Sequence, residues 1–142
     1  MGEARVEKRL PTPREIEALH ISEDSPVSVI SRVIEIAGQR VAHLIDVLPY
    51  DFFPYEDMDP AFRGSVLDML LARGWPTVSH SRTELTAEAA DAELARLLQV
   101  QRRAPLLRLD AQLFAQDGQV VDYSVSRFVP GYPRFHVVRR IG

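Results

Sequence analysis

The chain has 142 residues, of which 46% are hydrophobic and 26% charged, with no cysteine and a formal net charge of −3 at pH 7. This composition fits one compact domain and excludes disulfides, thiolate zinc sites and cysteine nucleophiles, while the lack of a basic excess argues against direct nucleic-acid binding. No apolar run reaches the roughly 20 residues that cross a bilayer, and the N-terminus has no apolar stretch of the secretory kind, so a cytoplasmic protein is expected.

The first part of the chain predicts a short helix and a β-hairpin. After a polar lead-in over residues 1–12, the segment 12–15 (Thr-Pro-Arg-Glu) carries the capping box and the early proline that begin a helix. Two runs rich in β-branched residues, 26–37 and 40–48, flank a turn at residues 38–39 and predict a pair of antiparallel strands.

The middle of the chain predicts two helices with a strand between them. Ser65 begins a helix with a second capping box, and Gly74 ends it. Residues 77–85 predict a strand, and Thr86 then caps a third helix over residues 87–98.

The last third predicts a hairpin followed by one more strand. Residues 105–115 and 120–129 are β-rich runs joined by Asp117-Gly118, which is a strong hairpin signal, and residues 134–140 predict the final strand. Because most of the six strands come as hairpins rather than alternating singly with helices, the pattern favours an α+β fold with an antiparallel sheet.

Polar side chains share one face of this hairpin with leucines. If the turn has two residues, the facing pairs are Leu113 with Asp122, Ala111 with Ser124 and Leu109 with Ser126. Apolar walls with a few polar groups are typical of a ligand pocket, and hydroxyls satisfied by nearby backbone are the equally open alternative. The opposite face, which carries Arg108, Asp110 and Tyr123 among others, suits solvent or a subunit contact.

Four further residues are candidates for ligand contacts. Arg32 lies between isoleucines on one strand face, so it either lines a pocket or sits at a rim or beside an internal acid. Arg82 shares a strand face with Glu84, and it either forks onto a carboxylate or phosphate or belongs to an exposed charged ladder. Ser65 and the amides after it could hold an anion, or Ser65 could be a plain helix cap.

Taken in order, these segments resemble the UTRA domain, the effector-binding domain of bacterial GntR-type transcription regulators of the HutC subfamily. The resemblance covers roughly residues 13–138 and lies in the ordered set rather than in one specific motif. The matching pieces are Arg32, Leu48-Pro49, Ser65, Leu97-Leu98, Pro105-Leu106-Leu107, Asp117-Gly118 and Asp122-Tyr123-Ser124.

The resemblance implies a chorismate lyase-like fold over residues 13–142, with a six-stranded antiparallel sheet and packed helices. It also implies a homodimer and a small-molecule effector, expected to be anionic, such as a sugar phosphate or a small carboxylate. DNA would be bound only by a separate N-terminal winged helix-turn-helix domain, which is expected to be absent from this chain, and no cofactor, metal or membrane contact is expected. The residues that resemble ligand contacts are Arg32, Ser65, Arg82, Glu84, Asp122, Ser124 and Ser126.

The chain also departs from the family pattern. Many family members carry a proline and an acidic residue in the second strand, where this chain has Arg40, Leu44 and Ile45. This difference leaves the identity of the effector open.

Two other functions stay open beside the sensor. An enzyme of the chorismate lyase-like fold could use Glu84 or Asp122 as a general acid, with Arg32 and Arg82 holding a dicarboxylate. The sequence shows no nucleophile–base pair, and its scattered histidines lack metal-ligand spacing, so a protein without catalytic activity is expected. The third possibility is a dimerisation module that binds no ligand.

Overall fold

A computed structural model describes residues 4–58, 64–132 and 134–141. Those residues form an antiparallel six-stranded sheet in the order β1-β2-β3-β6-β5-β4, which confirms the expected α+β class. The elements are β1 (Arg5–Arg9), α1 (Pro13–Leu19), β2 (Val27–Ile36), β3 (Gln39–Pro49), a 3-10 turn (Tyr55–Asp57), α2 (Val66–Arg73), β4 (Val78–Ala89), α3 (Ala92–Leu98), β5 (Pro105–Ala115) and β6 (Val120–Phe128). No helix in this part of the chain is long and apolar enough to span a membrane.

Local capping signals set the starts of the first two helices as the sequence predicts. Thr12 and Glu15 form a reciprocal capping box at α1, and Ser65 and Asp68 form another at α2. Gly74 ends α2 in a left-handed conformation with φ of 77°, which glycine adopts without the steric cost that other residues incur.

Helices pack against both faces of the sheet. On the face that we call the α2 face, Val66 and Leu70 of α2 contact Ile30 and Leu48. The opposite face, the α1 face, holds α1 through Leu19. Helix α3 packs its apolar residues against the start of β5. The two faces of the sheet are therefore covered by different helices.

The prediction for the third helix is wrong in its start. Strand β4 continues to Ala89, and α3 begins after Asp91, whose carboxylate accepts the Leu94 N–H at 2.8 Å. Thr86 instead lies within β4, opposite Arg108 of β5. Pairing with the full length of β5 extends the strand, and this tertiary contact overrides the local capping signal at Thr86.

The predicted set of six strands is also wrong at both ends of the chain. Residues 5–9, expected to be a polar lead-in, form β1 and pair with β2, and Arg9 of this strand binds Glu15 of α1 at 2.7 Å. Residues 134–140, expected to be the last strand, have no regular structure and are exposed. An edge strand needs only backbone partners, so polar side chains do not prevent β1 from forming.

The start of α3 generates a stability prediction. Asp91→Ala should lower the free energy of unfolding by about 1 kcal/mol, because the Leu94 N–H loses its acceptor. Asp91→Asn is the matched control. Asparagine has the same size as aspartate, is uncharged like alanine and can still accept the hydrogen bond that caps the helix. Urea denaturation of both variants tests this, and equal stability of the two would contradict the assignment of Asp91 as the cap.

Candidate functional site

A cavity of about 230 Å³ lies on the α2 face, between the sheet and the start of α2. Its lining includes most of the polar residues that the sequence singled out, namely Arg32, Ser65, Asp122, Ser124 and Ser126. This volume is below the roughly 300–1,000 Å³ of pockets for drug-sized ligands, so the cavity suits a small metabolite. We call it the central cavity.

The predicted facing pairs of the last hairpin are confirmed and explain this convergence, although the loop is longer than the expected two residues. The Ala115 N–H binds the Gln119 carbonyl oxygen and Phe114 faces Val120, and a register shift between Leu113 and Phe114 restores the predicted pairs. The facing pairs are Leu113 with Asp122, Ala111 with Ser124 and Leu109 with Ser126. Successive side chains alternate between faces, so Asp122, Ser124 and Ser126 all point toward α2. Hydroxyls and a carboxylate are therefore held between leucine and alanine side chains.

Arg82 and Glu84 do not reach the central cavity. They lie on the α1 face, where they line a separate hollow of about 390 Å³ together with Arg14 and Tyr123. Both side chains are exposed, and they contact each other at 3.5 Å. The expectation that Arg82 shares one hollow with Arg32 therefore does not hold, because Ser81, its neighbour on β4, is the residue that faces the cavity.

Sequence analysis missed Asp46, which also lines the cavity. Asp46 lies opposite Ser124 in the pairing of β3 with β6 and is buried with 9% of its surface exposed. The alternation along β3 carries the signal, since Asp46 stands between Leu44 and Leu48 on one face. An acidic residue between apolar neighbours on a strand face is the same kind of signal as Arg32 between isoleucines.

Asp46 and Asp122 form a buried pair of carboxyl groups. Burial raises the pKa of Asp122 well above its usual value, and the nearby charge of Asp46 and a hydrogen bond between the two carboxyls raise it further. Burial also raises the pKa of Asp46, against the opposing effects of the Asp122 hydrogen bond and the Arg32 charge. Two carboxylates this close in an apolar setting cannot both ionise readily, so the pair retains a proton.

The hydrogen bonding of the Asp122 carboxyl is incomplete within the described part of the chain. Oδ1 of Asp122 is fully buried and has no partner among the residues that the structure describes. A backbone hydrogen bond from Val47 reaches the same carboxyl group. Because a buried polar atom without a partner is costly, this oxygen marks a position where a ligand or a water molecule gains a hydrogen bond.

Arg32 connects the cavity to the start of α2. Only 8% of its surface is exposed, and its Nη1 donates to the Gly64 carbonyl oxygen at 2.6 Å. Its charge also acts on Asp46, whose pKa it lowers. Both interpretations of Arg32 from the sequence therefore hold together, since it lines a cavity and lies near an internal acid.

Ser65 acts as a helix cap at the edge of the cavity. Its hydroxyl accepts the Asp68 N–H at 3.0 Å, and its own N–H donates to the Asp68 carboxylate at 3.0 Å. Both groups are already engaged, so the helix-cap interpretation accounts for the residue. The Ser65 side chain still forms part of the cavity wall.

The α1 face opposite the cavity is partly covered. Arg14 of α1 donates to the Tyr123 hydroxyl at 2.7 Å, which donates to Asp110 at 2.9 Å. Gln112 donates to the Ala18 carbonyl oxygen at 2.8 Å. Asp110, Gln112 and Tyr123, expected to meet solvent or a subunit, therefore help to hold α1 in place. Arg108 of the same face binds Asp110 and Glu88 instead.

The buried acids generate a prediction about pH. Because the raised pKa lets folded Asp122 keep a proton that the unfolded chain loses, stability should fall as the pH rises from about 4 toward the folded-state pKa. Asp122→Asn cannot ionise, so it should raise Tm by about 3–6 °C at pH near 8 and change it little at pH near 4. Thermal unfolding across this pH range measures the effect.

Asp110→Asn is the control of opposite sign. Hydrogen bonds from Arg108 first, and then from Arg14 and Tyr123, lower the pKa of Asp110 to about 2. Its stabilising effect is therefore present above the usual aspartate pKa and is lost as the pH falls. Asp110→Asn should lower Tm at neutral pH, and a decrease of Tm in Asp122→Asn as well would contradict the protonated pair.

Comparison with known proteins agrees with this fold. The family model described as the UTRA domain matches residues 4–131. No curated protein matches the chain.

Solved structures of transcription regulators are similar over nearly the whole chain. A GntR-family transcriptional regulator from Enterococcus faecalis V583 is 16% identical with a TM-score of 0.84, covering 96% of this chain and 99% of that one. PhnF from Mycobacterium smegmatis is 20% identical with a TM-score of 0.86, covering 99% of this chain and 64% of that one. A Streptomyces coelicolor protein described as a transcriptional regulator is 25% identical with a TM-score of 0.84, covering 99% and 96%. The chain belongs to the UTRA domain family.

Proposed function

We propose that this chain is the effector-sensing and dimerisation domain of a GntR-type regulator of the HutC subfamily. A small metabolite bound in the central cavity modulates DNA binding by an attached winged-helix domain. The observation that carries this proposal is the cavity itself, where Arg32, the Asp46–Asp122 pair and four serines meet in a domain of the UTRA family. The domain acts as a homodimer, and its location is the cytoplasm.

The charges of the cavity favour an effector with two different polar parts. Arg32 is a cation at the cavity wall and favours an anionic group such as a phosphate or a carboxylate. Asp122 has a buried oxygen without a partner among the described residues and therefore favours a hydrogen-bond donor such as a hydroxyl. A small sugar phosphate or a hydroxy acid combines both groups, whereas a dianion without a donor would meet the carboxyl pair unfavourably.

The bond between Arg32 and Gly64 suggests how binding reaches the rest of the molecule. Gly64 immediately precedes the cap of α2, and the Arg32 guanidinium is the group that an anionic ligand would engage. A ligand on Arg32 competes for or reorients this bond, and so favours one position of the α2 start over another. A ligand that binds one of these two positions of α2 more tightly than the other shifts the population of conformers toward it.

The alternative function is an enzyme that acts on a small carboxylate in the same cavity. Its support is the protonated state of the buried Asp122 carboxyl, which a general acid requires. Glu84, the other acid considered, lies on the opposite face of the sheet. Turnover of chorismate by the purified chain, lost in Asp122→Asn, would favour this alternative.

Effector binding is tested with two arginine variants. The purified chain is titrated by calorimetry with a panel of phosphorylated sugars and small hydroxy acids. Arg32→Lys should weaken binding about tenfold, since lysine keeps the charge but loses the planar fork of donors. Arg82→Lys is the matched control on the other face and should leave the affinity unchanged.

Two results would contradict the sensor assignment. One is that no compound of the panel binds to the wild-type chain. The other is that Arg82→Lys weakens binding as much as Arg32→Lys does, because the bound compound would then occupy the α1 face rather than the central cavity.

A further inference from the structure

Strand β4 has a long edge without a partner strand in the described part of the chain. It extends over 12 residues at the end of the sheet and pairs with β5 on one side. Ten of these residues are exposed, from Ser79 to Ala87 without interruption and again at Ala89. The strand contains no proline, so each residue keeps its backbone N–H, and the outer edge offers a row of donors and acceptors.

The other edge of the sheet is much less suited to pairing. Strand β1 has five residues, and four of them are charged. Short length and a dense row of charges are the usual devices that prevent an edge strand from adding a partner. Strand β4 has neither device over its central part, where Arg82 and Glu84 are the charged residues.

The order of the charges at the centre of β4 favours pairing with a second copy about Thr83. Two identical strands that pair antiparallel are related by a two-fold axis perpendicular to the sheet, which keeps each face on its own side. Two residues that lie opposite each other across the paired strands must have their side chains on the same side of the sheet. The two-fold axis therefore passes through a residue and not between two residues. With the axis at Thr83, Arg82 faces the partner's Glu84.

The neighbouring registers bring like charges together. With the axis at Arg82, the two Arg82 side chains face each other, and with the axis at Glu84, the two Glu84 side chains do. Directly opposed like charges destabilise a pair of strands, whereas opposite charges stabilise it. The sequence of β4 is therefore self-complementary about Thr83.

We propose that two copies of this chain pair antiparallel along β4, with Thr83 at the two-fold axis, and form one continuous sheet of both copies. This inference rests on the homodimer proposed above and names the surface that forms it. The exposed Leu85, with 57% of its surface accessible in one copy, then lies opposite the partner's Ser81. Ser81 lines the central cavity, so a ligand there is adjacent to the interface between the copies.

Cysteine cross-linking tests the register. The chain has no cysteine of its own, so each disulfide comes from the introduced residue. In Thr83→Cys the two Cα atoms would be about 4.5–5.5 Å apart, within the range that a disulfide spans. In Leu85→Cys, the equally exposed control on the same face, the two copies of the residue would be roughly 13 Å apart.

Both variants are oxidised with oxidised glutathione and separated by non-reducing electrophoresis. We expect Thr83→Cys to become mostly cross-linked while Leu85→Cys stays mostly monomeric on the gel. Equal cross-linking of the two variants, or more in Leu85→Cys, would overturn the proposed register.

Charge reversal tests the same interface without a cross-link. Arg82→Glu and Glu84→Arg should each raise the dimer dissociation constant by about tenfold, since each creates two like-charge pairs. The double variant restores opposite charges and should return to within about threefold of the wild type. Sedimentation velocity over a range of concentrations measures all four proteins.

The outcomes separate this inference from the proposed function. A wild-type dimer that neither reversal weakens would overturn pairing along β4 and leave the homodimer standing. A wild-type chain that is monomeric at high concentration would overturn the homodimer together with this interface. Effector binding in the central cavity is measured independently by the calorimetric titration.

Discussion

The arrangement of the molecule depends on the register of β3, β6 and β5 at the centre of the sheet. Asp46 of β3 lies opposite Ser124 of β6, and Asp122 lies opposite Leu113 of β5. Side chains alternate between faces, so this register gathers the carboxyls and hydroxyls beside α2 and sends Tyr123 to the α1 face. A shift by one residue would reverse both faces, and the cavity and the contacts of α1 would be lost together.

The two helices on opposite faces are held by different kinds of contact. Helix α1 is held by the buried Leu19 and also by hydrogen bonds, since Arg14 binds Tyr123 and Glu15 accepts from both the helix start and β1. Helix α2 depends on apolar contacts and on the bond from Arg32 to Gly64. Apolar contacts have little directional preference, so α2 can adjust its position at lower cost than α1. The cavity lies beside α2, the helix with fewer directional contacts to the sheet.

The buried acids show a conflict between stability and binding. Leucine at the positions of Asp46 and Asp122 would fill the core at no electrostatic cost, whereas the carboxyl pair must retain a proton and leaves one oxygen without a described partner. Such violations of packing rules are expected where a protein binds a ligand. The same cavity borders β4 through Ser81, so a ligand and a second copy of the chain would meet the same part of the sheet.

The sequence by itself determined what depends on near neighbours along the chain. The capping box at Thr12 and the turn around Asp117-Gly118 act through local hydrogen bonds and φ preferences. The facing pairs of β5 and β6 depend in addition on a register shift between Leu113 and Phe114, which the turn residues do not indicate. Tertiary structure decided which faces meet, and so it separated Arg82 from Arg32 and brought Asp46 into the cavity. It also decided that β1, and not the C-terminal segment, completes the sheet, because backbone pairing at an edge leaves little trace in side-chain pattern.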